Sequence, residues 1–122
     1  MPTEFQAVIP VLRIFDVDKA REFYVGFLGF TVDWEHGVAE GLPRYIQVSR
    51  AGLRLHLSEH HGDACPGARV YIEARDLPAL HAELTAKRYR YNRPGLETTP
   101  WGTRQLEVND PFGNRLSFNE PQ

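Results

Sequence analysis

The sequence predicts an α+β fold built from two βαβββ units in tandem. Three observations predict it. Short runs of residues alternate apolar with polar, the period of half-buried strands. Two segments instead carry apolar residues at helical spacing. The order strand, helix, three strands then occurs twice at a nearly constant separation, which marks an internal repeat. Asp16-Val17 matches Asp76-Leu77, Ala20 matches Leu80 and Tyr24 matches Leu84, each 60 residues on. Gln47 and Val48 fall on Glu107 and Val108 at the same offset, whereas Leu55 and His56 fall on Leu116 and Ser117 at 61. The halves share few identities; what they share is element order and apolar phase.

The first unit spans residues 5–58. Ala7 to Ile14 reads as a strand rich in β-branched residues, with Pro10 marking an edge or a bulge. Asp16 or Asp18 can cap a helix from Lys19 to Leu28, which Gly29 stops. Ala20, Phe23, Tyr24, Phe27 and Leu28 form its apolar face. Phe30 to Trp34 is the second strand, and Glu35 to Pro43 a loop. Arg44 to Ser49 is the third strand, with Tyr45 and Gln47 on one face and Ile46 and Val48 on the other. Ala51-Gly52 turns the chain into the fourth strand, Leu53 to Ser58.

Residues 59–67 are polar, rich in breakers and read as a linker. The second unit spans 68–120. Ala68 to Ala74 is a strand, and Asp76 caps a helix from Leu77 to Lys87 that buries Leu77, Leu80, His81 and Leu84. A strand is expected near Tyr89 to Asn92, then a loop from Arg93 to Thr99. Leu106 and Val108 alternate with Gln105, Glu107 and Asn109. Asn109 to Asn114 carries Asp, Pro, Gly and Asn, the residues of a tight turn, and Leu116 and Phe118 continue the alternation beyond it.

The length, 122 residues, fits one domain over 1–122. A 42% apolar content is enough for one core, and a net charge of −2 gives no electrostatic case for nucleic acid. No apolar run reaches the length of a membrane span, and Met1 to Gln6 does not resemble a secretory leader. Cys65 is the only cysteine, so no intrachain disulfide and no thiolate metal cluster is expected. A cytoplasmic protein is the expectation.

Ile9-Pro10-Val11-Leu12, followed by Asp16-Val17, Ala20, Phe23-Tyr24 and Leu28-Gly29-Phe30, resembles the opening of vicinal oxygen chelate proteins. That superfamily includes glyoxalase I, fosfomycin-resistance enzymes, extradiol dioxygenases and bleomycin-resistance proteins. Asp110-Pro111-Phe112-Gly113-Asn114 resembles its Asp-Pro-x-Gly-Asn turn before the last strand. Pro100-Trp101-Gly102 looks most like the bleomycin-resistance branch. The resemblance implies a cleft formed by two curled sheets. It also implies a homodimer with an exchanged N-terminal strand, its clefts lying across the subunit interface.

Enzymes of the superfamily hold one divalent metal on four strands. Those positions fall on Ile9, His56, the neighbourhood of Arg69, and Ser117. Only His56 ligates well, since Ile9 has no donor and Arg69 repels a cation. Moving the last ligand to Glu120 requires a three-residue slip. No metal and no cofactor is therefore expected. His60-His61 with Glu59 and Asp63 reads as a solvated linker, His81 as a packed or surface helix residue, and Cys65 lacks the surroundings that make a reactive thiolate.

What remains is shape, aromatic surface and a few charges. Flat aromatic faces suit a planar heteroaromatic ligand. The expected ligand-binding residues are Trp101, Gly102, His56, Trp34, Tyr45, Glu107 and Ser117, with Asp33, Glu35, Glu40 and Glu97 as further acids for a cationic ligand. No catalytic residue is expected. The reading is a small-molecule binder that sequesters a bleomycin-type antibiotic. The alternatives are a metal-dependent enzyme of the same fold and an interaction module whose cleft is filled by its own side chains.

Overall fold

A computed structural model describes all 122 residues. Eight strands and two helices follow in the order β1 (Val11–Arg13), α1 (Val17–Arg21, continued by π-helical turns over Glu22–Phe27), β2 (Thr31–His36), β3 (Tyr45–Arg50), β4 (Leu53–Ser58), β5 (Arg69–Glu73), α2 (Leu77–Ala86), β6 (Leu96–Thr98), β7 (Thr103–Asn109) and β8 (Arg115–Pro121). They form two four-stranded sheets ordered β1-β4-β3-β2 and β5-β8-β7-β6. In each sheet the first strand runs parallel to the fourth, because a helix carries the chain back, and the other pairs are antiparallel. The tandem βαβββ fold is thus the one expected.

Each helix begins where a side chain can satisfy its free N–H groups. Asp16 Oδ1 accepts from Lys19 N, and Asp76 Oδ1 from Ala79 N. The second start has further support: Glu120 on β8 accepts from both Asp76 N and Leu77 N. Past Arg21 the first helix widens, and Leu28 N donates to the Phe23 carbonyl five residues back. Across these turns Phe23, Tyr24, Phe27 and Leu28 are all buried. Each such side chain contributes about 1.5–3 kcal/mol through its burial. Gly29 then ends the helix at φ +75°, a conformation that favours glycine.

One core runs through both halves. Leu12, Ile14, Ile46, Val48, Leu55 and Leu57 from the first sheet join Leu77, Leu84, Leu106, Val108, Leu116 and Phe118 from the second half. Two polar clamps tie the halves together. Buried Tyr24 donates its hydroxyl to Asp110 Oδ2 (2.7 Å), while Asp110 Oδ1 accepts from Phe112 N and Asn114 N. Asn114 Nδ2 donates to the Arg13 carbonyl and to Asp110 Oδ2. The Asp-Pro-Phe-Gly-Asn turn is therefore a hub between the units as well as a connector of strands. At the second clamp, Arg50 meets Glu83 through two hydrogen bonds of 2.8 and 2.6 Å and also donates to the Leu28 carbonyl. Lys87 donates to the Gly26 and Phe27 carbonyls, so positive charge sits at the carbonyl end of the first helix.

Four expectations of element position are corrected. The first strand is shorter than Ala7 to Ile14: ladder pairing covers Val11–Arg13, preceded by one bond from His56 N to the Pro10 carbonyl. The first helix starts at Val17 rather than Lys19, and β2 extends to His36. The segment near Tyr89 to Asn92 is not a strand; β6 forms instead at Leu96–Thr98, inside the expected loop. Arg88 takes φ +51° and turns the chain. Tyr89 then stacks on Phe27 (4.7 Å, 27°) and donates to Glu22, while Asn92 pairs with the Asn109 backbone. These aromatic residues are used in packing, and that overrides their strand propensity.

Candidate functional site

Alternation along β3 and β4 gives the first sheet two different faces. Ile46, Val48, Leu55 and Leu57 turn to the core, and Tyr45, Gln47, Ser49 and His56 to the open side. Gln47 is paired directly with His56 across the ladder. The second sheet repeats the arrangement, with Glu107 paired to Ser117 and Val108 to Leu116. Equivalences read from the sequence repeat thus coincide with equivalent ladder pairs.

β2 reaches the same open face by an irregularity. Val32 pairs with Val48, yet Trp34 pairs with Gln47, so Asp33 is an extra residue and the register shifts there. Without it, Trp34 would lie opposite Ile46 on the core face. With it, Trp34 stands beside Tyr45, ring planes 8° apart and centroids 5.9 Å apart, and meets the His56 ring edge-on at 5.2 Å. Trp34 keeps 37% of its surface exposed.

The polar atoms of this face form one connected set. Tyr45 Oη lies 2.7 Å from His56 Nδ1, and His56 Nε2 lies 3.0 Å from Gln47 Oε1. Gln47 Nε2 donates to Asp33 Oδ2 (3.1 Å), and Ser49 Oγ donates to Asp33 Oδ1 (3.0 Å). Partial burial, then the positive charge of Arg54, holds the His56 pKa below its ordinary value, which favours the neutral imidazole. Partial burial, then the carboxylate of Asp63, raises that of Tyr45.

Four of the expected residues, Trp34, Tyr45, His56 and the acid Asp33, therefore come together. The others do not join them. Ser117 is fully buried, its Oγ accepting from Gln105 Nε2 (2.8 Å) and Asn119 Nδ2 (3.1 Å), so a ligand reaches it only if Gln105 moves. Glu107 is ion-paired with Arg69 at 3.2 Å and with Arg115 at 4.0 Å. Trp101 and Gly102 sit at the tip of the β6–β7 hairpin. There Gly102 N donates to the Thr99 carbonyl, Gly102 adopts φ +88°, and Trp101 is 60% exposed. Among the acids, Glu35 is held by Arg21 and Arg44. Sequence reasoning missed Gln47 and Ser49 as partners of the site. It also missed the bulge, because nothing in Thr31-Val32-Asp33-Trp34 distinguishes a bulged strand from a regular one.

The donor set does not fit the metal of the superfamily's enzymes. The four positions hold an alkyl side chain (Ile9, just ahead of β1), a hydrogen-bonded imidazole (His56), an ion-paired guanidinium (Arg69) and a hydrogen-bonded hydroxyl (Ser117). No group of three His, Cys, Asp or Glu side chains converges anywhere in the chain. Glu120, the carboxylate nearest the last position in sequence, is engaged by the start of α2.

Grooves of about 410 and 360 Å³ lie beside α1 and Tyr89 and between α2 and the β3–β4 turn, and shallower ones of about 550 and 530 Å³ lie beside the start of α1 and along the β2–β3 loop. None of these four is lined by Trp34, Tyr45 or His56. The aromatic face is an open platform in the single chain. No helix is long and apolar enough to cross a membrane.

Comparison with known proteins agrees with this architecture. A bleomycin resistance protein from Geobacillus stearothermophilus is 27% identical over 124 residues, covering 90% of this chain and 92% of that protein. The antibiotic-binding protein TnmS3 from Streptomyces sp. CB03234 superposes with a TM-score of 0.75 at 28% identity, covering 99% and 100% of the two chains. The bleomycin-binding protein of Streptomyces verticillus, solved with copper(II)-bleomycin, gives 0.73 at 29% identity with the same coverage. The family profile described as glyoxalase superfamily protein matches residues 2–122. With that profile spanning nearly its whole length, and with the paired βαβββ sheets described above, this chain belongs to the glyoxalase superfamily.

Proposed function

We propose that the chain is a non-catalytic binder of a planar small molecule, and that it protects a cell by sequestering a bleomycin-type antibiotic. The observation that carries this reading is the Trp34–Tyr45 platform with His56 at its edge. It occupies the sheet face where the superfamily's enzymes keep a metal, and it offers stacking area with a polar rim that ends on the Asp33 carboxylate. The similarity to bleomycin resistance and antibiotic-binding proteins over nearly the full chain supports the ligand class.

The active form in this reading is a cytoplasmic homodimer, with residues 1–122 acting as one binding domain. Two observations support a second copy. The platform has no roof within one chain. Residues 1–8 are exposed and outside the ladder, with Phe5 93% and Val8 91% accessible, which suits an arm that packs on a partner. Trp101 and Glu107 then serve as ligand contacts supplied at the rim.

Isothermal calorimetry and thermal melts with metal-free and copper(II)-bleomycin test the function. A ligand at 100 times its Kd stabilises the fold by about 2.7 kcal/mol, roughly 10 °C for a chain of this size. No heat and no shift in Tm at high micromolar bleomycin refutes sequestration. Light scattering of the full chain and of a form lacking residues 2–8 tests the dimer; a full chain that is monomeric at 100 µM refutes it.

A further inference from the structure

The hydrogen bonds of the first sheet have a direction, and it can be read from their fixed end. Asp33 is a carboxylate and only accepts. Ser49 Oγ and Gln47 Nε2 both donate to it, which fixes the Gln47 amide with its nitrogen toward Asp33 and its oxygen toward His56. That oxygen only accepts, so His56 Nε2 carries the ring proton. A neutral imidazole has one N–H, hence Nδ1 accepts and the Tyr45 hydroxyl donates to it. The hydroxyl hydrogen is then committed to His56, and the lone pairs of Tyr45 Oη remain for a ligand. Each bond in such a chain strengthens the next, so the charge of Asp33 increases the basicity of the oxygen at the far end of the network.

We infer that this face presents Tyr45 Oη as a hydrogen-bond acceptor beside the Trp34 ring, and so selects planar molecules that carry an N–H donor at their edge. The inference deepens the small-molecule role proposed above and rests on that role for its biological use. Tyr45 is the contact residue, while His56, Gln47 and Asp33 are positioning residues that act through it. Asp33 also explains why the bulge matters. The extra residue brings Trp34 to the open face and supplies the carboxylate that orients the network. The other charged or titratable groups acting on the pair are His36 on β2, Arg54 on β4 and Asp63 in the linker.

Matched probes test it. Indole and 1-methylindole have the same stacking surface and differ in one N–H. Chemical-shift titration of the wild-type chain is expected to give indole about five-fold tighter binding, the worth of one net hydrogen bond. In Tyr45→Phe the platform persists and the preference falls to unity. Asp33→Asn, an exposed substitution, weakens the preference without abolishing 1-methylindole binding. The ¹⁵N shifts of His56 in the free protein are expected to show a protonated Nε2 and a bare Nδ1. Equal affinity for the two probes, failure of either to perturb Trp34, a preference that survives in Tyr45→Phe, or a proton on Nδ1 each overturns the inference. A chain that ignores bleomycin yet prefers indole refutes antibiotic sequestration and keeps the acceptor. A chain that binds bleomycin without the preference does the reverse.

Discussion

Removing the Tyr24 hydroxyl tests whether the two halves are held by the Asp110 hub. Tyr24 is fully buried and Asp110 is 6% exposed, so their 2.7 Å bond is shielded from water. A hydrogen bond to a charged group contributes about 1.5–3 kcal/mol. Tyr24→Phe leaves no orphan donor, and Asp110 Oδ2 keeps its bond from Asn114 Nδ2, so a loss of about 1.5 kcal/mol is expected. Asp110→Ala is different. It strands the Tyr24 hydroxyl and two backbone N–H groups and removes one of the two bonds of the Asn114 amide, which keeps the Arg13 carbonyl, and at about 1–3 kcal/mol per unpaired buried group the loss reaches about 4 kcal/mol or more. Added to Asp110→Ala, the Tyr24→Phe change removes an unsatisfied hydroxyl and becomes nearly neutral, giving a coupling energy near ~1.5 kcal/mol. Urea unfolding followed by tryptophan fluorescence measures wild type, both single variants and the double variant, with a shifted midpoint and an unchanged m-value. The hub carries a second signature. Burial, then the Asp110 carboxylate, raises the Tyr24 pKa well above its ordinary 10.0. The folded state therefore holds the phenolic proton more tightly than the unfolded chain. This contribution is complete below about pH 10 and is lost as pH rises through the folded value. Tyr24→Phe should flatten that alkaline decline. A midpoint shift under about 0.3 kcal/mol, or additive variants, refutes the hub.

Three further outcomes are expected. Glu83→Gln weakens the second clamp; because Arg50 and Glu83 are each about one-third exposed, the loss is about 1 kcal/mol or less. The Arg50 hydrogen bond holds the Glu83 pKa down, so the clamp is intact above the ordinary carboxylate range and weakens as pH falls through the depressed value, which acid titration of Tm reads. Trp101→Ala costs less than about 0.5 kcal/mol, since the ring lies on an exposed turn; if the ring is a ligand contact, bleomycin affinity falls about ten-fold or more with Tm unchanged. His56, whose pKa is lowered, should titrate below 6.5 by NMR. Its contribution to stability is present above about 6.5 and declines as pH falls through its folded value, a slope that His56→Gln removes.

Most of the fold was legible because burial imposes a period. Leu53 to Ser58 appears as the strand its alternation predicts, and Ala20, Phe23, Tyr24, Phe27 and Leu28 are buried as helical spacing requires. The ladder pairs Gln47–His56 and Glu107–Ser117 are those the repeat offset matches. The exceptions are set by partners distant in sequence. Tyr89 looks like a strand residue but follows its contacts with Phe27 and Glu22, and the exposed Tyr91 meets the Tyr89 ring edge-on. Trp34, Tyr45 and His56 each stand out in sequence, but that they meet on one face depends on the bulge at Asp33, and Ser117 gives no sign of the amide network that encloses it. Backbone phase is a local property and shows in sequence; side-chain satisfaction depends on which neighbours arrive.

The two open faces explain how one fold can keep its frame and change its chemistry. Core-facing residues must stay apolar and in phase to hold the helices, so the two sheets remain equivalent there. The open faces carry no such constraint, and they have become different surfaces. On the first, a bulge adds a tryptophan and a carboxylate to the Gln47–His56 pair, leaving flat area exposed. On the second, the equivalent pair is consumed internally: Ser117 by two amides, and Glu107 by Arg69 and Arg115. A cleft made by opposing one face of each kind would stack a planar molecule on the first and surround it with fixed dipoles and paired charges on the second. Such a surface stabilises a ligand through area and hydrogen bonds. It presents no free carboxylate or open metal coordination position at the four metal-ligand sites, and in the proposed role that chemistry serves retention of a drug.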